Sequence, residues 1–146
     1  MNDFGELDQA VDSFCEFIES LPAKELADKT WGPKEVLAHL VYYHELYVKQ
    51  AQACLDGKPI RLYEGAYYNL NAQIAERSRT VPTEKLVRRF KRANHRLKKI
   101  YTTNDPRLVV VPIKANVQPH PLSKLVSEVA AHVRHHQRQL KKIRKK

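Results

Sequence analysis

A chain of 146 residues with 42% hydrophobic side chains is the right size for one domain with a real core. Its formal charge of +10 admits nucleic acid, an anionic membrane surface or an acidic small molecule as partners. No run of about 18 apolar residues occurs, which excludes a membrane-spanning helix.

Only four glycines interrupt a sequence rich in Leu, Ala, Lys, Arg and Glu, a composition that favours helices. The opening "MNDFGELDQA" has no basic segment ahead of an apolar one, so no secretory leader is expected. Phe4, Leu7, Val11, Phe14, Ile18 and Leu21 recur in steps of three and four, predicting a first helix that Pro22 ends. A second helix is expected to start at "WGPKEVLAHL", with Pro33 in the first turn and Glu35 at the positive end of the dipole. It runs to about Leu55 and stops at "DGKP", with Val36, Leu37, Leu40, Val41, Tyr47, Val48, Ala51 and Leu55 on a broad apolar side.

A loop and a short helix over about Ala66 to Arg79 follow, interrupted by "TVPTEKL". Leu86, Val87, Phe90, Ala93, Leu97, Ile100 and Tyr101 then mark another helix, closed by "TTNDP". The proline-spotted "LVVVPIKANVQPHP" has β character. One short run cannot build a sheet, so it reads as an extended connection. The last helix, from about Leu122 to Ile143, carries Leu122, Leu125, Val126, Val129, Val133, Leu140 and Ile143. The expected fold is all-α: a single-domain antiparallel four-helix bundle over residues 1–146, with an extra short helix in its middle segment.

Cys15 and Cys54 lie on different helices and form no CxxC pair. They read as reduced residues of a cytoplasmic protein. The basic runs "RRFKRANHRLKK" (88–99) and "KKIRKK" (141–146) lack the aromatic ladder or Gly-rich loop of a single-strand binding platform, so they read as solvated faces.

The chemistry-bearing stretch is "AAHVRHHQRQL" (130–140). Steps of three and four from Val129 reach His132 and Val133, then His136, then Leu140. His132 and His136 therefore sit on the apolar stripe, one turn apart, near enough to share an ion. His135 is turned by about 100° to the stripe's edge. A third ligand must come from another element. The second helix offers His39 and His44, about 140° apart, which cannot face one point. Periodicity does not choose between them.

"WGPKEVLAHLVYYHELY", "AAHVRHHQRQLKKI" and the middle segment between them resemble the DinB/YfiT-like four-helix-bundle superfamily over nearly the whole chain. The resemblance implies a metal held by His39, His132 and His136, and imidazole ligands admit zinc or nickel foremost, or another late divalent ion. His44 matches no family ligand, and His135 matches the inner histidine of the motif, which is not usually one. It further implies thiol-dependent S-transferase, isomerase or hydrolase chemistry, the last through a branch named DfsB. Ala131 stands where the family often carries an aromatic residue, a departure that bears on the pocket's shape.

Three neutral ligands leave an ion with open positions, the pattern of a catalytic site. Tyr43, one turn after His39, is a candidate hydroxyl donor, and Glu128, one turn before His132, a candidate acceptor for that imidazole. The expected activity is that of a metal-dependent hydrolase or thiol S-transferase acting on a small electrophile. A carboxylated low-molecular-weight thiol would suit the net charge. The expected partners are that small molecule and a second copy of the chain, with neither nucleic acid nor membrane among them. The alternative is a basic helical module binding nucleic acid or an acidic partner, its histidines structural.

Overall fold

The computed structural model of the chain describes residues 4–27 and 32–144. Trp31, where the expected second helix opens, and Lys145 and Lys146 of the terminal basic run lie outside them. The described residues form six helices and one small antiparallel strand pair: α1 (Phe4–Glu19), α2 (Ala23–Ala27), α3 (Pro33–Asp56), α4 (Tyr67–Ser78), α5 (Thr83–Thr103), β1 (Val110–Val111), β2 (His120–Pro121) and α6 (Leu122–Arg144). The chain is all-helical in character.

The three-and-four spacing of α1 does what it predicts. Phe4, Leu7, Val11, Phe14 and Ile18 are all buried, each worth about 1.5–3 kcal/mol when withdrawn from water. Phe14 meets Phe90 of α5 edge to face, with ring centroids 6.2 Å apart. α1 packs against α6 and α5, and α3 packs chiefly against α5, with further contacts to α4, β1 and α6. In α3, Pro33 begins the helix after Gly32, and Gly57 ends it in the left-handed region at φ 66°. A side chain is disfavoured at that φ, whereas glycine adopts it freely.

Several expectations need correction. α2 is an additional turn of helix; its five residues after Pro22 are too few to show a period. Leu55 and Ile143, both placed on apolar stripes by their spacing, are exposed at the ends of α3 and α6. The segment between α5 and α6 is more than an extended connection. It folds back on itself, pairing Val110 with Pro121 and Val111 with His120, and Asn116 takes a positive φ of 66° between the two strands. Tyr63 is bridged to Lys114 of the same segment, with Ala115 N–H donating to the Tyr63 carbonyl at 3.0 Å. This hairpin runs without interruption into α6, which places His120 over the first turns of that helix. No helix of the described residues is long and apolar enough to cross a membrane.

Candidate metal centre

His39 and His44 both point inward from α3, and the angle between them sends them to different partners. His44 is fully buried against α5. Its ring meets Phe90 edge to face at 5.0 Å, and its Nε2 lies 3.0 Å from Asn94 Oδ1. The Asn94 amide nitrogen donates to Asp8 Oδ1 at 2.8 Å, which leaves its oxygen as the acceptor, so His44 Nε2 is the donor. Lys98 Nζ completes the chain, 2.7 Å from Asp8 Oδ2. His44 is thus satisfied within the core, and burial holds its pKa down at about 4.

His39 faces α6 instead. Its ring centroid stands 5.8 Å from that of His132 and 5.4 Å from that of His136. The two α6 rings are 4.4 Å apart by centroid, and their Nε2 atoms are 3.0 Å apart. One nitrogen from each of the three rings lies within 4.8 Å of the others. The α6 pair was legible from periodicity, and the structure adds His39 to it and leaves His44 and His135 out.

The donor set suits a divalent ion. Two imidazole nitrogens each about 2.1 Å from a shared ion stand about 3.0 Å apart at a right angle and about 3.4 Å apart at a tetrahedral one. The α6 pair has the shorter of these spacings. Without an ion the same 3.0 Å lets one ring donate its N–H to the other. Burial, then the neighbouring His132, lowers the pKa of His39 to about 4. Burial followed by His132, His39 and His135 does the same to His136, also to about 4. His132 is lowered by burial and then by His135. The cluster therefore presents neutral rings, the form that binds metal.

His39 and His136 are nearly covered, with 9% and 7% of their surface exposed, whereas His132 is exposed. Beside them opens a cavity of about 450 Å³, lined in part by His39, Tyr43, Tyr47, Tyr67, Asn71, Glu128 and His132. The cluster thus has a route to solvent.

Asn71 of α4 is a functional candidate that local sequence does not mark. It accepts a hydrogen bond from the Tyr43 hydroxyl at 3.1 Å, and a hydrogen bond between it and the His39 ring partly offsets the lowering of that ring's pKa. A hydrogen-bond partner on a metal-binding imidazole helps to fix its orientation. The only sequence signal is its place between Leu70 and Ile74, the two buried residues of a short helix.

Tyr43 lines the cavity as expected, and burial, then Tyr67, raises its pKa, so its hydroxyl keeps its proton. Glu128 also lines the cavity, but its partner is not His132. Oε1 lies 2.7 Å from His120 Nδ1, because the hairpin, invisible as such in the sequence, swings His120 across the helix. Ala131 is exposed and is not among the residues that line the cavity. His135 is exposed. Cys15 is buried, its thiol pushed up to about 12 mainly by desolvation, and is inert; Cys54 is likewise a free thiol. No family model matches the sequence, and no curated protein matches it either.

Proposed function

We propose that this chain is a DinB/YfiT-like metalloprotein, its four long helices arranged as an antiparallel bundle, that acts on a small electrophilic molecule as a metal-dependent hydrolase or thiol S-transferase. The observation that carries this reading is the convergence of His39, His132 and His136 beside an open cavity. A divalent ion held by three neutral imidazoles keeps coordination positions free and makes a water or thiol acidic enough to serve as a nucleophile near neutral pH. Imidazole ligands suit zinc and nickel alike.

The chain's own residues have distinct tasks in this scheme. His39, His132 and His136 supply lone pairs. Asn71 holds the His39 ring in place. Tyr43, anchored by the same Asn71 oxygen, offers a protonated hydroxyl towards the cavity. Leu40, Val129 and Val133 form its apolar lining and limit the water around the reacting groups. The test is conjugation of a low-molecular-weight thiol to a model electrophile by the zinc- or nickel-loaded protein. His39→Ala should remove that activity while the helical signal survives; unchanged activity in that variant defeats the reading.

One observation favours a second reading, a basic binding module. Lys85, Arg88, Arg92, Arg96 and Lys99 form an exposed stripe along α5, about 21 Å long at 1.5 Å per residue. Among the described residues none of the five is ion-paired, whereas Arg89, Lys91 and Lys98 are held by Glu45, Glu19 and Asp8. If this stripe is only solvated, duplex DNA should bind no tighter than about 1 μM at physiological salt, as nonspecific contacts do. A tighter complex, lost on combined Arg88→Ala, Arg92→Ala and Arg96→Ala substitution, favours the module.

A further inference from the structure

The cavity beside the three histidines has a direction. His39, Tyr43 and Tyr47 follow one another at four-residue steps on α3 and all line it, so Tyr47 lies about 12 Å beyond His39 along the helix axis. On α6 the lining runs from His132 back through Val129 to Leu125, about 10 Å of axis. The two series meet at the histidines, where the rings of His39 and His132 stand 5.8 Å apart by centroid, and both continue away from them. The cavity is therefore a slot with the histidines at one end.

Its walls differ in kind. α3 contributes Leu40 and the phenol rings of Tyr43 and Tyr47. Tyr67 of α4 adds a third phenol, inclined at 51° to Tyr43 with centroids 6.3 Å apart. From α6 and the hairpin come aliphatic side chains, Leu125, Val129, Val133 and Ile113. Inclined phenols offer edges and faces for the offset and edge-to-face contacts that aromatic rings prefer. Away from the histidines, charge is nearly absent. The chain carries 26 lysines and arginines, yet among the described residues none lines this cavity. Its carboxylate, Glu128, is held by His120 at 2.7 Å, and the Tyr67 ring is covered by the Lys114 ammonium, 5.2 Å from its centroid. A ligand charged at its far end would displace one of these partners or lie unpaired among apolar side chains, a costly burial. That applies equally to the carboxylated thiol suggested by net charge. At about 450 Å³ the cavity is about three times the size of an apolar cavity that holds benzene, room for a ring and a short linker.

We infer that the slot takes an uncharged molecule with an aromatic ring, seated between the tyrosines Tyr43 and Tyr47 and the valines Val129 and Val133, its reacting end towards His39, His132 and His136. This deepens the proposed function and rests on it only for the role of that end.

The ring preference is tested apart from the metal. On metal-free protein, NMR compares benzyl alcohol, cyclohexylmethanol, benzoate and benzylammonium, probes of similar size. Benzyl alcohol should shift the ring signals of Tyr43 and Tyr47 together with the methyl signals of Val129 and Val133. Cyclohexylmethanol, the more hydrophobic alcohol, should bind at least about twofold more weakly, because contacts with two tyrosine rings outweigh that advantage. Both ions should bind roughly tenfold more weakly or worse. Tyr47→Leu should cancel or reverse the order of the two alcohols. Val129→Phe should fill the slot and abolish the shifts, with zinc content and helical signal unchanged in both variants. If cyclohexylmethanol or either ion matches benzyl alcohol, or if Val129→Phe leaves its binding intact, the inference is overturned while the metal site stands. On zinc-loaded protein, calorimetry should find phenylmethanethiol tighter than cyclohexylmethanethiol, and equal affinities would count against the ring in the same way. Failure of both thiols to bind removes the thiol from the proposed function, and the benzyl alcohol comparison still decides the ring preference.

Discussion

Purified protein should retain about one divalent ion per chain after desalting, and the His132→Ala/His136→Ala double variant should retain essentially none. The reason is arithmetic as well as chemical. The double substitution leaves His39 alone, and one imidazole does not hold zinc or nickel against dilution. His44→Ala should keep the ion, because His44 is committed to Asn94 on the opposite side of α3. Asn71→Ala should lie between the two, loosening the ion by about 10- to 100-fold through loss of the acceptor that orients His39. Elemental analysis of the four proteins, each checked for helical content, decides the matter. Full occupancy in the double variant would exclude the site.

Acid should destabilise the metal-free protein well before its carboxylates titrate. An unfolded imidazole takes up a proton below its ordinary 6.5, but folded His44 does so only near 4. Between those values the unfolded state binds more protons, so stability falls as pH falls. Above about 6.5 the contribution of His44 is flat; by pH 4 it has withdrawn about 3 kcal/mol. His39 and His136, also lowered to about 4, steepen the same window. Bound metal should keep their part of it and carry it to lower pH, since ligated nitrogens cannot accept protons in the folded state while the free imidazoles of the unfolded chain still do. Urea unfolding from pH 7.5 to 4, in the presence and absence of zinc, measures both effects. His44→Gln, which preserves a hydrogen-bonding side chain without the titration, should lose a good part of the metal-free slope. An identical slope in that variant would mean that His44 is protonated in the folded state.

The helices were legible because one-sided burial leaves a period. Val129, His132, Val133, His136 and Leu140 identify a seam, and the pair of ring nitrogens lies on it. His39 could not be separated from His44 by the same means: both are buried, and the period reports burial rather than the identity of the neighbour. Resemblance to a family selects His39, and in the structure His39 is the α3 histidine that lies beside the α6 pair. Asn71 and His120 escaped because their roles arise from contacts between distant segments. The two-residue strands that carry His120 across α6 are too short to leave any alternation. Glu128 lines the cavity, but helical spacing alone points it to His132 and cannot show its contact with His120.

The core chain of His44, Asn94, Asp8 and Lys98 does more than satisfy a buried ring. It touches α3, α5 and α1 at one level and behaves as a key in a keyway. If α3 rolled about its axis by one residue, about 100°, the His44 ring would leave Asn94 and lie among apolar side chains without its acceptor. Apolar packing tolerates such slips far better than a directional hydrogen bond does. Because His39 rides on the same rigid cylinder five residues earlier, locking the roll at His44 also sets the azimuth at which His39 meets α6. The aim of His39 is thus set from elsewhere on the helix, by residues outside the histidine cluster.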